Sequence, residues 1–205
     1  AAYSLRFLKG RPAAILVIGA LVFLSPVPVQ AALLVSSSES DQILIYDQDN
    51  GDYLGVFASV SAPDGIVCVG NDSVWVASQT LGQVLHFPSI AGGSPDATIN
   101  GFYRPIPMAL GPDGNLYVGD DTGNGRINRY TAAGVFIDTF VSVSDIDGLH
   151  FPRGLAFGPD GDLYVSSAKN NAILRYDGST GAYEGVFASS ELSSPHGLVF
   201  DANGD

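Results

Sequence analysis

The strongest constraint on this chain is a sequence phrase that returns at nearly constant spacing. Its best copy runs from Pro152 to Asp177 and reads PRGLAFGPDGDLYVSSAKNNAILRYD. The apolar runs in this phrase are separated by Asp-Gly and Asn-Asn, which are typical of tight turns between strands. Each copy therefore predicts three short β-strands joined by turns.

The copies are regular enough to predict the architecture. Residues 33–59 align with residues 163–189 without a gap, and 15 of these 27 positions are identical. The opening Pro-x-Gly-apolar element recurs at intervals of 42, 47 and 43 residues, as PDGI from Pro63, PIPM from Pro105 (a weaker copy), PRGL from Pro152 and PHGL from Pro195. A period of about 40 residues built from short strands is typical of β-propeller blades. We therefore predict an all-β chain, a β-propeller of four-stranded blades, with repeats starting near residues 33, 63, 105, 152 and 195.

The repeats account for about four blades. Leu33 aligns with the second strand of the later repeats, so the first blade lacks an inner strand of its own. Residues from Pro195 supply that strand type, and the chain stops at DANGD, where other copies continue. Two interpretations stand: closure of a four-bladed ring by this chain, or C-terminal truncation of a larger propeller. We favour truncation.

Residues 1–31 have the features of a signal peptide. Arg6, Lys9 and Arg11 precede the apolar run 13–24, and small residues ending at Ala31 form a cleavage pattern. This run is too short to cross a hydrocarbon layer of about 30 Å. We expect residues 32–205 to be the propeller domain, secreted or periplasmic and without a stable membrane span. Retention at the cell surface is left open.

The net charge of the chain excludes one class of binding partner. Nine Lys and Arg, less the three in residues 1–31, leave six against 21 Asp and Glu, a formal net charge of −15 for the remainder. Such an acidic surface repels phosphate backbones, so we expect no nucleic-acid partner.

Cysteine usage predicts no disulfide within the chain, because Cys68 is the only cysteine. It aligns with Leu110, Phe157 and Phe200 of the other repeats. We therefore expect a buried core thiol.

The repeated phrase P-x-G-[LI]-A-F-x-P-D-G-x-L-Y-V, followed by N-x-I-x-R-Y-D, resembles the NHL repeat and covers nearly all of residues 32–205. Related propellers include the streptogramin (virginiamycin B) lyase group, the gluconolactonase-like group and the peptidyl-hydroxyglycine amidating lyase. The resemblance implies five or six blades, so the count of about four supports a fragment. It specifies no chemistry, because members include sensors, protein-binding platforms and lyases.

The resemblance also implies where a site would lie. In such propellers the residue after each repeat Pro and the loop after each LYV strand surround the mouth of the central channel. The candidate ligand-binding residues are Asp64, Asp120, Asp121, Arg153, Asn170, Asn171 and His196. The alternative is that these residues are polar only because they face water.

His196, in SSPHGLVF, is the weak candidate for a catalytic residue. PHGL and close variants occur in the lyase-like relatives, and imidazole titrates near neutral pH. The alternative is an exposed polar residue before Gly. We assign no metal ligands, because the acidic runs 47–52 and 201–205 align with ordinary turns and lack the spacing of a calcium loop.

The sequence therefore predicts an exported propeller that acts as a binding or scaffold module, with a protein or small polar ligand at the channel-mouth face. The alternative is a divalent-metal-dependent lyase or hydrolase of the streptogramin lyase or gluconolactonase-like type. Only that alternative would require a divalent cation as cofactor.

Overall fold

A computed structural model describes residues 32–70, 72–121, 125–142 and 148–201. The predicted signal peptide, residues 143–147 and residues 202–205 lie outside these residues. In the described part of the chain, no helix has the length and apolar character needed to cross a membrane.

The described strands form antiparallel sheets that follow one another along the chain. The first sheet contains β1 (Ala32–Ser37), β2 (Gln42–Asp47) and β3 (Tyr53–Ser59). The second contains β4 (Pro63–Val69), β5 (Ser73–Ser78), β6 (Gln83–Phe87) and β7 (Ala97–Asn100). The third contains β8 (Pro105–Leu110), β9 (Leu116–Asp120), β10 (Arg126–Tyr130) and β11 (Phe136–Val141). The fourth contains β12 (Pro152–Phe157), β13 (Leu163–Ser167), β14 (Ala172–Tyr176) and β15 (Tyr183–Ala188).

These sheets are the blades of a propeller, and the predicted fold class is confirmed. The first strands of successive sheets lie beside one another, since β4 contacts β8 and β8 contacts β12. The first sheet has three strands because β1 corresponds to the second strand of the other blades, as the alignment predicted. Helical structure in the described residues is limited to the short 3-10 turns Ser38–Ser40 and Ala168–Asn170.

The segment 195–201 carries no assigned strand, but it lies where the next inner strand belongs. Phe200 meets the ring of Tyr164 edge-on with the centroids 4.9 Å apart. Phe157, in the inner strand β12, meets Tyr117 in the same way, also at 4.9 Å. Residues 195–201 therefore follow the fourth blade as β12 follows the third.

Apolar cores between successive blades hold the propeller together. Trp75 and Tyr117, at the aromatic position of the LYV strand, are fully buried, and Tyr164 is nearly so. The Trp75 indole Nε1 donates a hydrogen bond of 3.1 Å to the carbonyl of Ala132 in the next blade. Each aromatic side chain thus joins its blade to the next one.

The Asp of the Pro-Asp-Gly turn has a second role that the sequence did not reveal. The Tyr117 hydroxyl donates to the Asp113 carboxylate at 3.0 Å, and the Tyr164 hydroxyl donates to Asp160 at 2.8 Å. Burial, together with the charge of Asp113, raises the pKa of Tyr117 to about 12. The turn is therefore tied to the side chain that packs between blades.

The expectation of a buried thiol at Cys68 is wrong, because Cys68 is exposed. At the aligned position in β12, Phe157 is covered by the ring of Tyr117 from the preceding blade. The first blade carries Leu34 at that aromatic position, so no ring covers the end of β4.

The Gly of the Pro-x-Gly element is required by close approach of adjacent inner strands. A Cβ added at Gly65 would overlap the carbonyl oxygen of Ile106, and one added at Gly154 would overlap that of His196. Ile106 and His196 each follow the Pro of the next repeat. Only a residue without a side chain allows the two backbones to come this close.

Gly154→Ala and Gly197→Ala should therefore differ in their effect on the free energy of unfolding, although both alter the same repeat position. An added methyl group at Gly154 forces the strands apart, which should lower the free energy of unfolding by about 1–3 kcal/mol. At Gly197 no atom lies within 4 Å of an added Cβ, so the change should stay within about 0.5 kcal/mol. Urea unfolding measures both, and equal losses would contradict the proposed contact.

Candidate functional site

The described residues form a cavity at the mouth of the channel, where inner strands begin and second strands end. It measures about 170 Å³. Its lining combines backbone glycines, apolar side chains and two charged groups: Asp64, Gly65, Ile66, Ile106, Pro107, Met108, Arg153, Gly154, Leu155, Gly197 and Leu198. The structure thus brings two of the predicted ligand residues, Asp64 and Arg153, to one cavity.

Five side chains form a continuous network beside this cavity. Gln79 Nε2 donates to Asp64 Oδ2 at 2.5 Å, and Gln79 Oε1 accepts from Arg104 Nη2 at 2.9 Å. Arg104 Nη1 lies 3.2 Å from Asp121 Oδ2, and Arg153 Nη2 lies 3.1 Å from the same oxygen. We call Asp64, Gln79, Arg104, Asp121 and Arg153 the mouth network. It joins the second, third and fourth blades.

Asp121 is the buried centre of the network. Its side chain is fully buried, whereas those of Arg104 and Arg153 are 40% and 25% exposed. Arg153 Nε also donates to Asp121 Oδ1 at 3.2 Å. Two guanidinium groups around one carboxylate leave a net positive charge and several N–H donors that Asp121 does not use.

Asp64 is the second charged group of the cavity, and the pKa of its carboxyl is raised. Burial is the largest cause, and it outweighs the opposing hydrogen bond from Gln79 and the charges of Arg153, His196 and Arg104. In the described part of the chain, Asp64 makes no ion pair closer than 4 Å, so its contacts leave the carboxylate available to a ligand.

His196 precedes Gly197 and Leu198, which line the cavity, but it is not itself among the lining residues. Its backbone carbonyl is held by Ser166 Oγ at 2.5 Å, and its side chain is exposed. A catalytic role of His196 stays a prediction.

Asp120 stabilises the backbone that leads into the first strand of the third blade. It is fully buried and accepts hydrogen bonds from the backbone N–H groups of Tyr103 and Arg104, at 3.0 and 2.8 Å, and from Arg126 Nη2 at 3.0 Å. The aligned residue in the second blade, Ser78, also bonds the chain that enters its inner strand. The structure therefore gives Asp120 a supporting role.

Asn170 and Asn171 likewise hold loops and do not line the cavity. Asn170 Nδ2 donates to the carbonyl of Gly148, and Asn171 Oδ1 accepts from the backbone N–H of Ser194 at 2.8 Å. Asp41, the counterpart of Asn171 in the first repeat, accepts from Ala62 in the same way at 2.7 Å. Ligand binding by these two asparagines stays a prediction.

The backbone at the mouth is held in an uncommon conformation. Ala62, Phe151 and Ser194 precede the repeat prolines and have φ angles of 43°, 52° and 48°. Such left-handed residues other than Gly are unfavourable, and they occur where the surrounding structure stabilises them. Here the carbonyl of Ala62 accepts from Gln79 N at 3.0 Å, and that of Phe151 from Ala168 N at 3.1 Å. These bonds fix the positions of the mouth side chains.

Arg104 is the functional candidate that sequence reasoning missed. It precedes the repeat Pro, whereas the candidates predicted from the sequence either follow that Pro or lie in the loop after an LYV strand. The available signal was a charged residue at a position where other repeats carry Ala62, Phe151 and Ser194. Gln79 lay in a loop that the resemblance placed at the mouth, but its polar side chain gave no reason to choose it.

The described residues do not offer a metal site at the mouth. Within these ranges, Asp162, Asp177 and Glu184 are the one group of three potential ligands that lie close together. These three residues lie at the ends of β13, β14 and β15 that are far from the mouth. Arg175 already pairs with Asp162 and Glu184. The described residues therefore do not bring three such ligands together at the mouth.

No protein-family model matches the chain, and no curated protein matches it. Solved structures share the fold. Virginiamycin B lyase from Staphylococcus aureus superposes with a TM-score of 0.67 at 17% identity over 86% of this chain. A putative gluconolactonase superposes with a TM-score of 0.70 at 23% identity over 87% of this chain. Luciferin-regenerating enzyme superposes with a TM-score of 0.65 at 14% identity over 85% of this chain.

This chain spans 58% of the lyase, 67% of the gluconolactonase and 64% of the luciferin-regenerating enzyme. At these identities the likeness establishes the fold alone. The expected relation to lyase-type and gluconolactonase-like propellers is confirmed at that level, and chemistry must be argued from the mouth itself.

Asp64→Asn should stabilise the chain at pH 7. The folded chain binds the Asp64 proton more tightly than the unfolded chain, so the associated stability is present below pH 3.8 and lost as pH rises through the raised pKa. The variant stays neutral, and its advantage should shrink as pH falls toward 3.8. Urea unfolding across this range, with an NMR titration of Asp64, measures both effects. A wild-type pKa at or below 3.8 would contradict the assignment.

Proposed function

We propose that this chain is an exported binding module that holds a small polar ligand at the mouth of the propeller. The observation that carries the proposal is the cavity of about 170 Å³ that has Asp64 and Arg153 in its lining. A concave site with apolar walls and a few placed polar groups is typical of small-molecule binding. The concave shape favours a small ligand over the protein partner that the sequence left open.

Preorganisation supports this proposal. Asp121 holds Arg104 and Arg153 from the buried side, so both guanidinium groups are in place before a ligand arrives. The backbone bonds at Ala62 and Phe151 hold the strand ends. A site that is ordered in advance loses less conformational entropy on binding.

An acid–base enzyme is the second candidate. Its supporting observation is that Asp64 and His196 each follow a repeat Pro at the start of an inner-strand segment, and that burial raises the pKa of Asp64. Paired titratable groups of this kind can transfer protons to and from a substrate. Similar folds include proteins named as a lyase and as a putative gluconolactonase, so a lyase or hydrolase activity is the form this candidate takes.

Binding can be tested by NMR titration of the ¹⁵N-labelled 205-residue chain with small carboxylic acids, amines, amino acids and monosaccharides. At least one compound should shift the amide signals of Gly65, Gly154 and Gly197, and Arg153→Gln should weaken that binding at least about tenfold. Lys169→Gln is the matched control, because it removes one positive charge from the same blade outside the cavity lining. If no compound shifts these three signals, the binding proposal fails.

The enzyme candidate predicts turnover of a probe. Gluconolactone hydrolysis, followed as proton release at constant pH, should exceed the spontaneous rate if Asp64 and His196 act as acid and base. His196→Ala should then lower the rate by about 10²-fold or more. A wild-type rate equal to the spontaneous one would remove gluconolactone hydrolysis and leave binding as the function.

A further inference from the structure

We infer that the ligand of the mouth cavity is a small zwitterion, whose carboxylate pairs with Arg153 and whose ammonium group pairs with Asp64. The inference rests on the proposed binding function and adds the ligand class. It follows from the arrangement of opposite charges in one cavity, taken together with the size of that cavity.

Asp64 and Arg153 line the same cavity without pairing with each other. Arg153 pairs with Asp121 at 3.1 Å, and Asp64 accepts its hydrogen bond from Gln79. No ion pair between Asp64 and Arg153 occurs among the described residues. The cavity therefore has one acidic and one basic group with space for a ligand to contact both.

The local charges on the two sides are opposite. Arg104, Asp121 and Arg153 together carry one positive charge, and Asp64 carries one negative charge when ionised. A ligand with a single charge would pair with one side and be repelled by the other. A neutral ligand would leave Asp64 without an ionic partner and the excess positive charge of the two arginines unneutralised. A zwitterion neutralises both, which is the electrostatic complementarity expected of a specific site.

The cavity volume is sufficient for a small ligand. A cavity of about 170 Å³ has room for several water molecules or for a small organic molecule. A molecule of five to seven non-hydrogen atoms, about the size of glycine or alanine, fits this volume. The apolar lining from Ile66, Met108, Leu155 and Leu198 offers a contact surface for a short aliphatic group.

The titration of Asp64 gives this ligand class a distinctive pH dependence. Burial raises the pKa of Asp64, and an ammonium group beside it would lower that pKa by favouring the ionised form. Affinity for a zwitterion should therefore fall as pH falls through the pKa of Asp64. Affinity for a simple carboxylate should not fall with the protonation of Asp64, and it should fall only where the carboxylate itself takes up a proton. The charged or titratable groups that act on Asp64 are Arg104, Arg153 and His196.

The test compares glycine with its two halves, acetate and methylammonium, by NMR titration of the full chain at pH 7. Glycine should bind at least about tenfold more tightly than either half. Asp64→Asn should lower the affinity for glycine at least about tenfold, while the affinity for acetate should stay unchanged or increase. Arg153→Gln should weaken both glycine and acetate. His196→Gln should preserve the fall of glycine affinity at low pH, because Asp64 is its source.

Three outcomes would overturn the inference: acetate binding as tightly as glycine, glycine affinity rising at low pH, or glycine affinity unchanged in Asp64→Asn. If another compound still shifts the signals of Gly65, Gly154 and Gly197, the binding function survives and only the ligand class is wrong. If none does, both fail. Asp64→Asn is expected to fold at least as stably as the wild type, so loss of glycine binding there cannot be attributed to unfolding.

Discussion

Adjacent inner strands approach each other so closely that a backbone carbonyl occupies the space where a side chain would start. The carbonyl of His196 lies against Gly154, and that of Ile106 lies against Gly65. Ser166 and Ser36 add hydrogen bonds to the carbonyls of this repeat position. The contact makes Gly necessary at one residue and places the preceding residue at the mouth, where its side chain is free to vary.

The backbone at this position is the same in each repeat, whereas the side chain differs. A regular scaffold can therefore carry a site whose residues do not repeat. The residues after the repeat prolines are Asp64, Ile106, Arg153 and His196, although their backbones occupy corresponding positions. The repeating hydrogen bonds of the backbone stabilise the strands, while the mouth network depends on residues that occur once. Function can therefore change at this face without altering the blade packing.

Charge distribution sets the mouth apart from the rest of the chain. Residues 32–205 contain six Lys and Arg against 21 Asp and Glu, yet two of those six, Arg104 and Arg153, meet around Asp121. Burial of Asp121 concentrates their field toward the cavity, because the carboxylate that holds them is inaccessible to a ligand. An acidic chain thus presents basic groups at its concave face.

The repeat by itself determined the blades, the turns and the correspondence of the first described strand, β1, to the second strand of the other blades, because strand period and turn chemistry are local properties. It also identified Asp64 and Arg153, which occupy a recurring position. Only the tertiary structure decided that Arg104 joins them, that Asp120 supports the mouth, and that Cys68 is exposed. These outcomes depend on which side chain faces a residue from the neighbouring blade. Such contacts join residues distant along the chain, so no local pattern encodes them.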